Sequence, residues 1–421
     1  MHIVIAPDSF KESLPAYEVA QALKIGFQEA LPEATFDLIP LGDGGEGTMD
    51  ALIDGLNLSK HKLIVTGALG EDVEVDYASD SQLAVFEMAA ICGLGKVPKE
   101  ARNPLTLRTE GVGQMISHLI KQGVKEIMIG VGGSATNDGG IGMAAGLGYH
   151  FFDENGRIVE AIGENLGKIR KMTSPSLDLS RVKLTIITDV KNPLCGQSGA
   201  TYTFAAQKGL TEDQFGQVDQ AMASFYQLVN SEVLSLEGAG AGGGMAAGLV
   251  TFANGQIVSG IDAVLDVLDF DRHVQNADLV IVGEGRMDKQ SLAGKAPIGV
   301  ARRTPDGIPI ITICGSLKED LPAFPIENII AAFPIIAGVD SLENTLAHAR
   351  PNLIRTAQKL DITATIIDES KADSPFGIIV HTDLAENLEE TNVKQLYPQY
   401  FEGKLIQTST EKKSFWKKLF H

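Results

Sequence analysis

Turns rich in glycine, carboxylates or both recur at six places in this chain, and those residue types suit the handling of charged oxygen ligands. APDSFKES at 6–13 carries Asp8, Ser9 and Lys11, and LGDGGEGT at 41–48 carries Asp43 and Glu46. GVGGSATNDGG at 130–140 carries Gly132, Gly133, Ser134, Thr136, Asn137 and Asp138. ITDVKNPLCG at 187–196 carries Asp189 and Asn192, EGAGAGGGMAAG at 237–248 is nearly all small residues, and GEGRMDKQSLAGKAP at 283–297 carries Glu284, Arg286, Asp288 and Lys295. Glycine lets a backbone approach a ligand, and N–H groups ahead of a helix bind anionic oxygens. Enclosed carboxylates repel one another and lose hydration, so a cation must compensate; Mg²⁺ with nucleotide phosphates would supply it. The expected chemistry is phosphoryl transfer, with donors on the phosphates, a metal between them and a carboxylate to accept a hydroxyl proton.

Parallel-sheet elements must position these turns. The apolar run at 2–6 reads as a strand, PDSFKES as a turn, and 16–31 as a helix with Val19, Ala20, Leu23 and Phe27 on one face. Further strands are expected at 36–41, 278–282, 308–313 and 329–333, several opening into a motif, with a late helix over 342–357. Ligands of such sheets sit at the carboxyl ends of strands. Between these parts, 63–65, 73–77 and 83–89 read as short hairpin strands, 109–123 and 213–232 as helices, and 125–131 and 183–187 as apolar strands. The predicted fold is α/β: a discontinuous parallel-sheet domain from 1–54 and 263–365, a second α/β domain inserted at 55–262, and a tail extension at 366–421. That tail is expected to be disordered or to end in a short basic amphipathic helix at 409–421, suited to weak contact with a membrane surface or a protein.

Composition narrows the function. The 421 residues contain 44% hydrophobic and 21% charged residues, ordinary for a globular protein. A net charge of -19 argues against a nucleic-acid binder and means that an anionic substrate needs locally placed cations. Cys92, Cys195 and Cys314 are far apart and form no CxxC pair, so a reducing, cytoplasmic compartment is expected, without a zinc site or a disulfide framework. No signal peptide and no transmembrane segment is expected, since no apolar stretch approaches the ~18 residues a span requires. GxxxxGK[ST], HRD, DFG and GxSxG are all missing, which sets aside the P-loop, protein-kinase and hydrolase-elbow readings.

Taken together, PDSFKES, GDGGEGT, GGSATNDGG, TDVKNPLCG and GEGRMDKQSLAGK resemble the motifs of the bacterial glycerate kinases, type 1, which are related to neither P-loop nor protein kinases. The resemblance runs from Met1 to about Leu360. It implies two α/β domains, one flavodoxin-like and discontinuous with the other inserted, and ATP-dependent phosphorylation of D-glycerate, in this branch at the 2-hydroxyl to give 2-phosphoglycerate; 3-phosphoglycerate is the alternative product. Leu107-Arg-Thr-Glu110 and Thr203-Phe-Ala-Ala206 depart from the family pattern.

Within that reading Asp189, Lys11 and Asp43 are the candidate catalytic residues, with Asp189 as the base; a capping aspartate is its plain alternative. Asp8, Ser9, Glu46, Arg286, Asp288 and Asn192 are candidates for substrate binding. Gly132, Gly133, Ser134, Thr136, Asn137, Asp138, Glu284 and Lys295 are candidates for the nucleotide phosphates. Asp43, Asp189 and Glu284 are the candidate metal ligands. Arg286 suits bidentate binding of a carboxylate or phosphate, against an internal clamp to a neighbouring carboxylate. Two other classes stay open: a dinucleotide-binding oxidoreductase using Gly130, Gly132 and Gly133, which needs an acidic residue such as Asp153 for ribose, and a non-enzymatic metabolite sensor.

Overall fold

Five parallel strands form one sheet in the order Ile329–Pro334, Ile310–Leu317, Leu279–Met287, His2–Pro7, Thr35–Leu38. Counted along the chain this is the doubly wound order 2-1-3-4-5, with its reversal between His2–Pro7 and Leu279–Met287. A computed structural model describes residues 1–42, 48–289, 291–318, 320–336, 338, 340–366 and 376–382. A second sheet of six strands runs Gln256–Val258, Lys183–Ile187, Glu126–Gly130, Leu83–Glu87, Asp72–Ser79, Ser59–Thr66, the first four parallel and the last two antiparallel.

The inner parallel strands of both sheets read as near-continuous apolar runs because both of their faces are covered, whereas Ser59–Thr66 and Asp72–Ser79 carry polar, exposed residues. Ile3, Ile5, Leu279, Ile281, Ile311 and Ile313 face helices Ala16–Ala30 and Ala349–Lys359 through Val19, Leu23, Phe27 and Leu353. Their sequence neighbours Val4, Ala6, Val280, Val282 and Ile310 point the other way, into a core shared with helices Thr48–Leu56, Gly260–Val267 and Ala296–Arg303. Ala78, Val85, Met128 and Ile187 of the second sheet belong to that same core. The far face of the second sheet, Phe86, Ile127, Ile129, Leu184 and Ile186, packs with helices Glu110–Gln122, Ile141–Leu147 and Ala241–Ala253. The fold is thus α/β with a layered order of helix, sheet, helix, sheet, helix. The expected division at 54/55 and 262/263 falls inside two helices of the central layer.

Several elements differ from expectation. Leu279–Met287 and Ile310–Leu317 continue through GEGRM and CGSL by pairing with each other, after the outer partners have ended at Gly283 and Cys314. The expected helix over 342–357 is two, Leu342–Ala347 and Ala349–Lys359, since Pro351 has no N–H and belongs in a first turn. EGAGAGGGMAAG is no simple turn: it opens helix Ala241–Ala253, with Gly242, Gly243 and Gly244 all left-handed (φ 66°, 72° and 86°) before regular helix begins. Leu360–Ile366 pairs antiparallel with Phe376–Thr382, and the segment 409–421 expected to form an amphipathic helix lies outside the described residues.

Candidate active site

At the reversal point of the parallel sheet, the turn after His2–Pro7 lies against the end of Leu279–Met287. Asp8 N donates to Gly283 O (2.8 Å), and Ser9 N donates to Asp8 Oδ1 (2.6 Å). Gly285 lies so near this turn that a Cβ there would sit 3.4 Å from Lys11 N and Phe10 Cα. Lys11 itself is exposed. Leu41 N donates to Pro7 O (2.9 Å), and a Cβ on Gly42 would strike Thr48, so the described ends of GDGGEGT also gather here; Asp43 and Glu46 lie outside the described residues.

Glu284, Arg286 and Asp288 do not share one turn, as their sequence suggested. Glu284 and Arg286 are two residues apart on an extended strand, opposite Cys314 and Ser316, so both point to one face. Glu284 is 94% buried by its 6% exposure, and its Oε1 has no hydrogen-bond partner. Burial pushes its carboxyl up to about 7, against the opposing Ser291 hydrogen bond and Lys295 charge and with help from Asp8 and Asp288. Ser291, fully buried, also accepts from Asp288 N (3.2 Å), a role the sequence did not single out. Arg286 Nε donates to Asp288 Oδ2 (3.0 Å), the internal clamp that was its plain alternative. Lys295 is exposed at the start of helix Ala296–Arg303.

A second group of motifs ends neighbouring parallel strands of the other sheet, where Ile187 pairs with Gly130. Asp189 is exposed, and its Oδ1 accepts from Gly260 N (2.8 Å) and Ser259 Oγ (3.3 Å), which caps helix Gly260–Val267. Asn192 Nδ2 donates to Ser198 O (2.7 Å) and Thr203 Oγ1 (3.3 Å) and so braces its own loop.

GVGGSATNDGG divides in two. Gly132 and Gly133 are exposed, and a Cβ at Gly132 would meet nothing within 4 Å. Ser134 through Asp138 are buried. Asp138 accepts from Gly140 N (2.9 Å), Gly142 N (3.2 Å) and Thr109 Oγ1 (2.6 Å), so a carboxylate of the chain itself occupies the N–H groups at the start of helix Ile141–Leu147. Burial raises the Asp138 carboxyl, and these three donors oppose the rise. Asn137 Nδ2 donates to Thr201 Oγ1 (3.0 Å), while Thr136 Oγ1 and Asn137 Oδ1 have no partner. Lys208 donates to Ser134 Oγ (2.8 Å) and Thr136 O (2.7 Å).

The two groups approach each other through their helices. A Cβ on Gly299, one turn into Ala296–Arg303, would lie 2.4 Å from Ile261, the second residue of Gly260–Val267. The helix started by Lys295 and the helix capped by Asp189 therefore begin side by side. A separate cavity of 480 Å³ lies at the small sheet of His150–Phe152, Ile158–Val159 and Lys171–Thr173, lined by Asp153, Arg157 and Arg170 and by no residue of a motif turn. There Asp153 Oδ1 accepts from Asn155 N (2.8 Å) and Arg157 N (2.9 Å), at a hairpin rather than at the parallel strand end a ribose needs. Cys314 is buried, and burial pushes the Cys195 and Cys314 thiols up to about 12, away from any thiolate role. Among the described residues no three His, Cys, Asp or Glu side chains gather as a metal-ligand set.

Residues 3–365 match the model of the glycerate kinase family. The chain belongs to that family. A glycerate kinase of Neisseria meningitidis serogroup B is 54% identical over 362 residues, covering 86% of this chain and 98% of that protein. The glycerate 2-kinase of Escherichia coli K12 is 39% identical over 375 residues, covering 87% and 98%. A crystal structure of a Salmonella typhimurium LT2 protein assigned as glycerate kinase 2 superposes with a TM-score of 0.77 at 40% identity, covering 85% of this chain and 96% of that one. Among the described residues no helix is long and apolar enough to cross a membrane.

Proposed function

We propose that this protein is a phosphotransferase that moves the terminal phosphoryl group of ATP to the 2-hydroxyl of D-glycerate, giving 2-phosphoglycerate and ADP in the cytoplasm. The observation that carries the reading is the arrangement of the family's motif turns at the carboxyl ends of two sheets whose intervening helices start together. The relative named glycerate 2-kinase supports the 2-hydroxyl. The boundary between two domains is placed in helices Thr48–Leu56 and Gly260–Val267, so that 1–54 with 263–365 forms one domain and 55–262 the other.

In this reading Asp189, held by the Gly260 N–H, takes the hydroxyl proton of glycerate as that oxygen bonds to phosphorus and the bridging bond to ADP breaks. The exposed backbone of Gly132 and Gly133 receives phosphate oxygens. Lys11, Arg286 and Lys295 supply local positive charge on a chain of net charge -19, orienting the substrate carboxylate and the phosphates. The unpartnered buried Oε1 of Glu284 fits a hard cation, so Mg²⁺ would be held by Glu284 with Asp43 or Asp189. When bound it neutralises charge on the transferring phosphoryl group.

The test is a coupled assay for ADP with ATP and D-glycerate, followed by phosphorus NMR of the product. ADP release and a 2-phosphoglycerate resonance are expected. No ADP release with D-glycerate refutes the reading, and a 3-phosphoglycerate resonance refutes the regiochemistry alone.

A further inference from the structure

Lys208 is 3% exposed, an unusual place for a lysine, and it belongs to none of the motif turns. It ends the short 3₁₀ segment Ala206–Lys208, and Gly209 after it adopts φ 101° where a Cβ would strike Arg102 O at 2.3 Å. Its ammonium group reaches the interior of GVGGSATNDGG and donates to Ser134 Oγ and to Thr136 O, one on each side of Ala135. The same segment also meets backbone: a Cβ on Gly243 would lie 2.1 Å from Thr136 O, and Gly139 N donates to Gly243 O (3.1 Å). The buried half of the turn is therefore in contact with both a triglycine backbone and one lysine. Its exposed half, Gly132 and Gly133, directly precedes Ser134.

We propose that Lys208 is a positioning residue for the nucleotide: by bonding both Ser134 and Thr136 it fixes the exposed backbone of Gly132 and Gly133 in the shape that receives the phosphates of ATP. The inference rests on the kinase reading above. Burial drives the Lys208 ammonium down to about 8, with Cys92 and Asp138 opposing the shift. Ser134 and Thr136, expected to touch phosphate, act in this account through Lys208.

The test compares the full-length wild type with Lys208→Met, Ser134→Ala and the double variant, with melting temperature as the check on folding. Lys208→Met is expected to raise KM for ATP about tenfold or more while kcat and KM for D-glycerate change less than about threefold. Ser134→Ala is expected to shift KM for ATP the same way by about three- to tenfold, and the double variant to be no worse than Lys208→Met. An unchanged KM for ATP in folded Lys208→Met, or a loss confined to kcat or to D-glycerate, overturns the proposal. Should Lys208→Met fail to fold, Ser134→Ala decides alone by the same criterion. A wild type without turnover refutes the kinase reading; calorimetric titration with ATP then judges the proposal, which falls if Ser134→Ala binds as wild type or if neither binds.

Discussion

Asp189 accepts a hydrogen bond from Gly260 N, so a substitution there must separate capping from catalysis. Asparagine keeps an acceptor oxygen but cannot take a proton. Asp189→Asn is therefore expected to lower kcat by ~10²–10⁴-fold with an unchanged melting temperature, measured by steady-state kinetics and thermal unfolding. Near-normal turnover would remove Asp189 as the base. Glu284 gives a prediction of opposite kind. Its carboxyl lies at about 7 in the fold against an ordinary 4.5, so between those values the folded protein holds more protons than the unfolded chain. The stability this contributes is present below pH 4.5 and lost as pH rises through 7. Glu284→Gln carries no such penalty. It should melt above the metal-free wild type at pH 8, with the gap shrinking toward pH 4.5, while its turnover falls; equal melting temperatures at pH 8 would contradict the buried charge.

Helices Glu110–Gln122 and Ile141–Leu147 meet backbone to backbone. A Cβ on Gly113 would lie 2.0 Å from Met143 O, and one on Gly146 would lie 2.1 Å from Glu110 O. Gly113→Ala is expected to destabilise by about 1–3 kcal/mol or more in urea unfolding, as overpacking of a rigid contact does. A change near zero would mean that the helices can separate. Helix Glu110–Gln122 was readable, as was strand 183–187, because apolar residues recur at the helical period or run unbroken between polar ends. Helix Ala241–Ala253 was not, since a run of glycine and alanine has no polar face to give a period. Strand extension through GEGRM was hidden too, because glycine disfavours strands locally and only the pairing with Ile310–Leu317 holds it there. At the site, sequence located the turns but not the direction of their side chains. Asp138 reads the same whether its oxygens meet a ligand or its own N–H groups, and Lys208 looks like any surface lysine until burial is known.

At the scale of the whole molecule, the helices between the sheets belong to a single core with residues of both. Neither sheet covers both of its faces without that layer. Unfolding is expected to be one cooperative transition, with calorimetric and van't Hoff enthalpies in a ratio of about 1. Two resolved heat-capacity peaks would show that the sheets unfold independently. The contact between the triglycine at 242–244 and the turn at 136–139 bears on how such a protein can change over time. A Cβ on Gly243 would meet Thr136 O and one on Gly244 would meet Gly139 Cα, and main chain cannot be trimmed by a second mutation. Gly243 and Gly244 are thus tied to a turn more than a hundred positions away: neither can gain a side chain in descent unless that distant main chain moves with it.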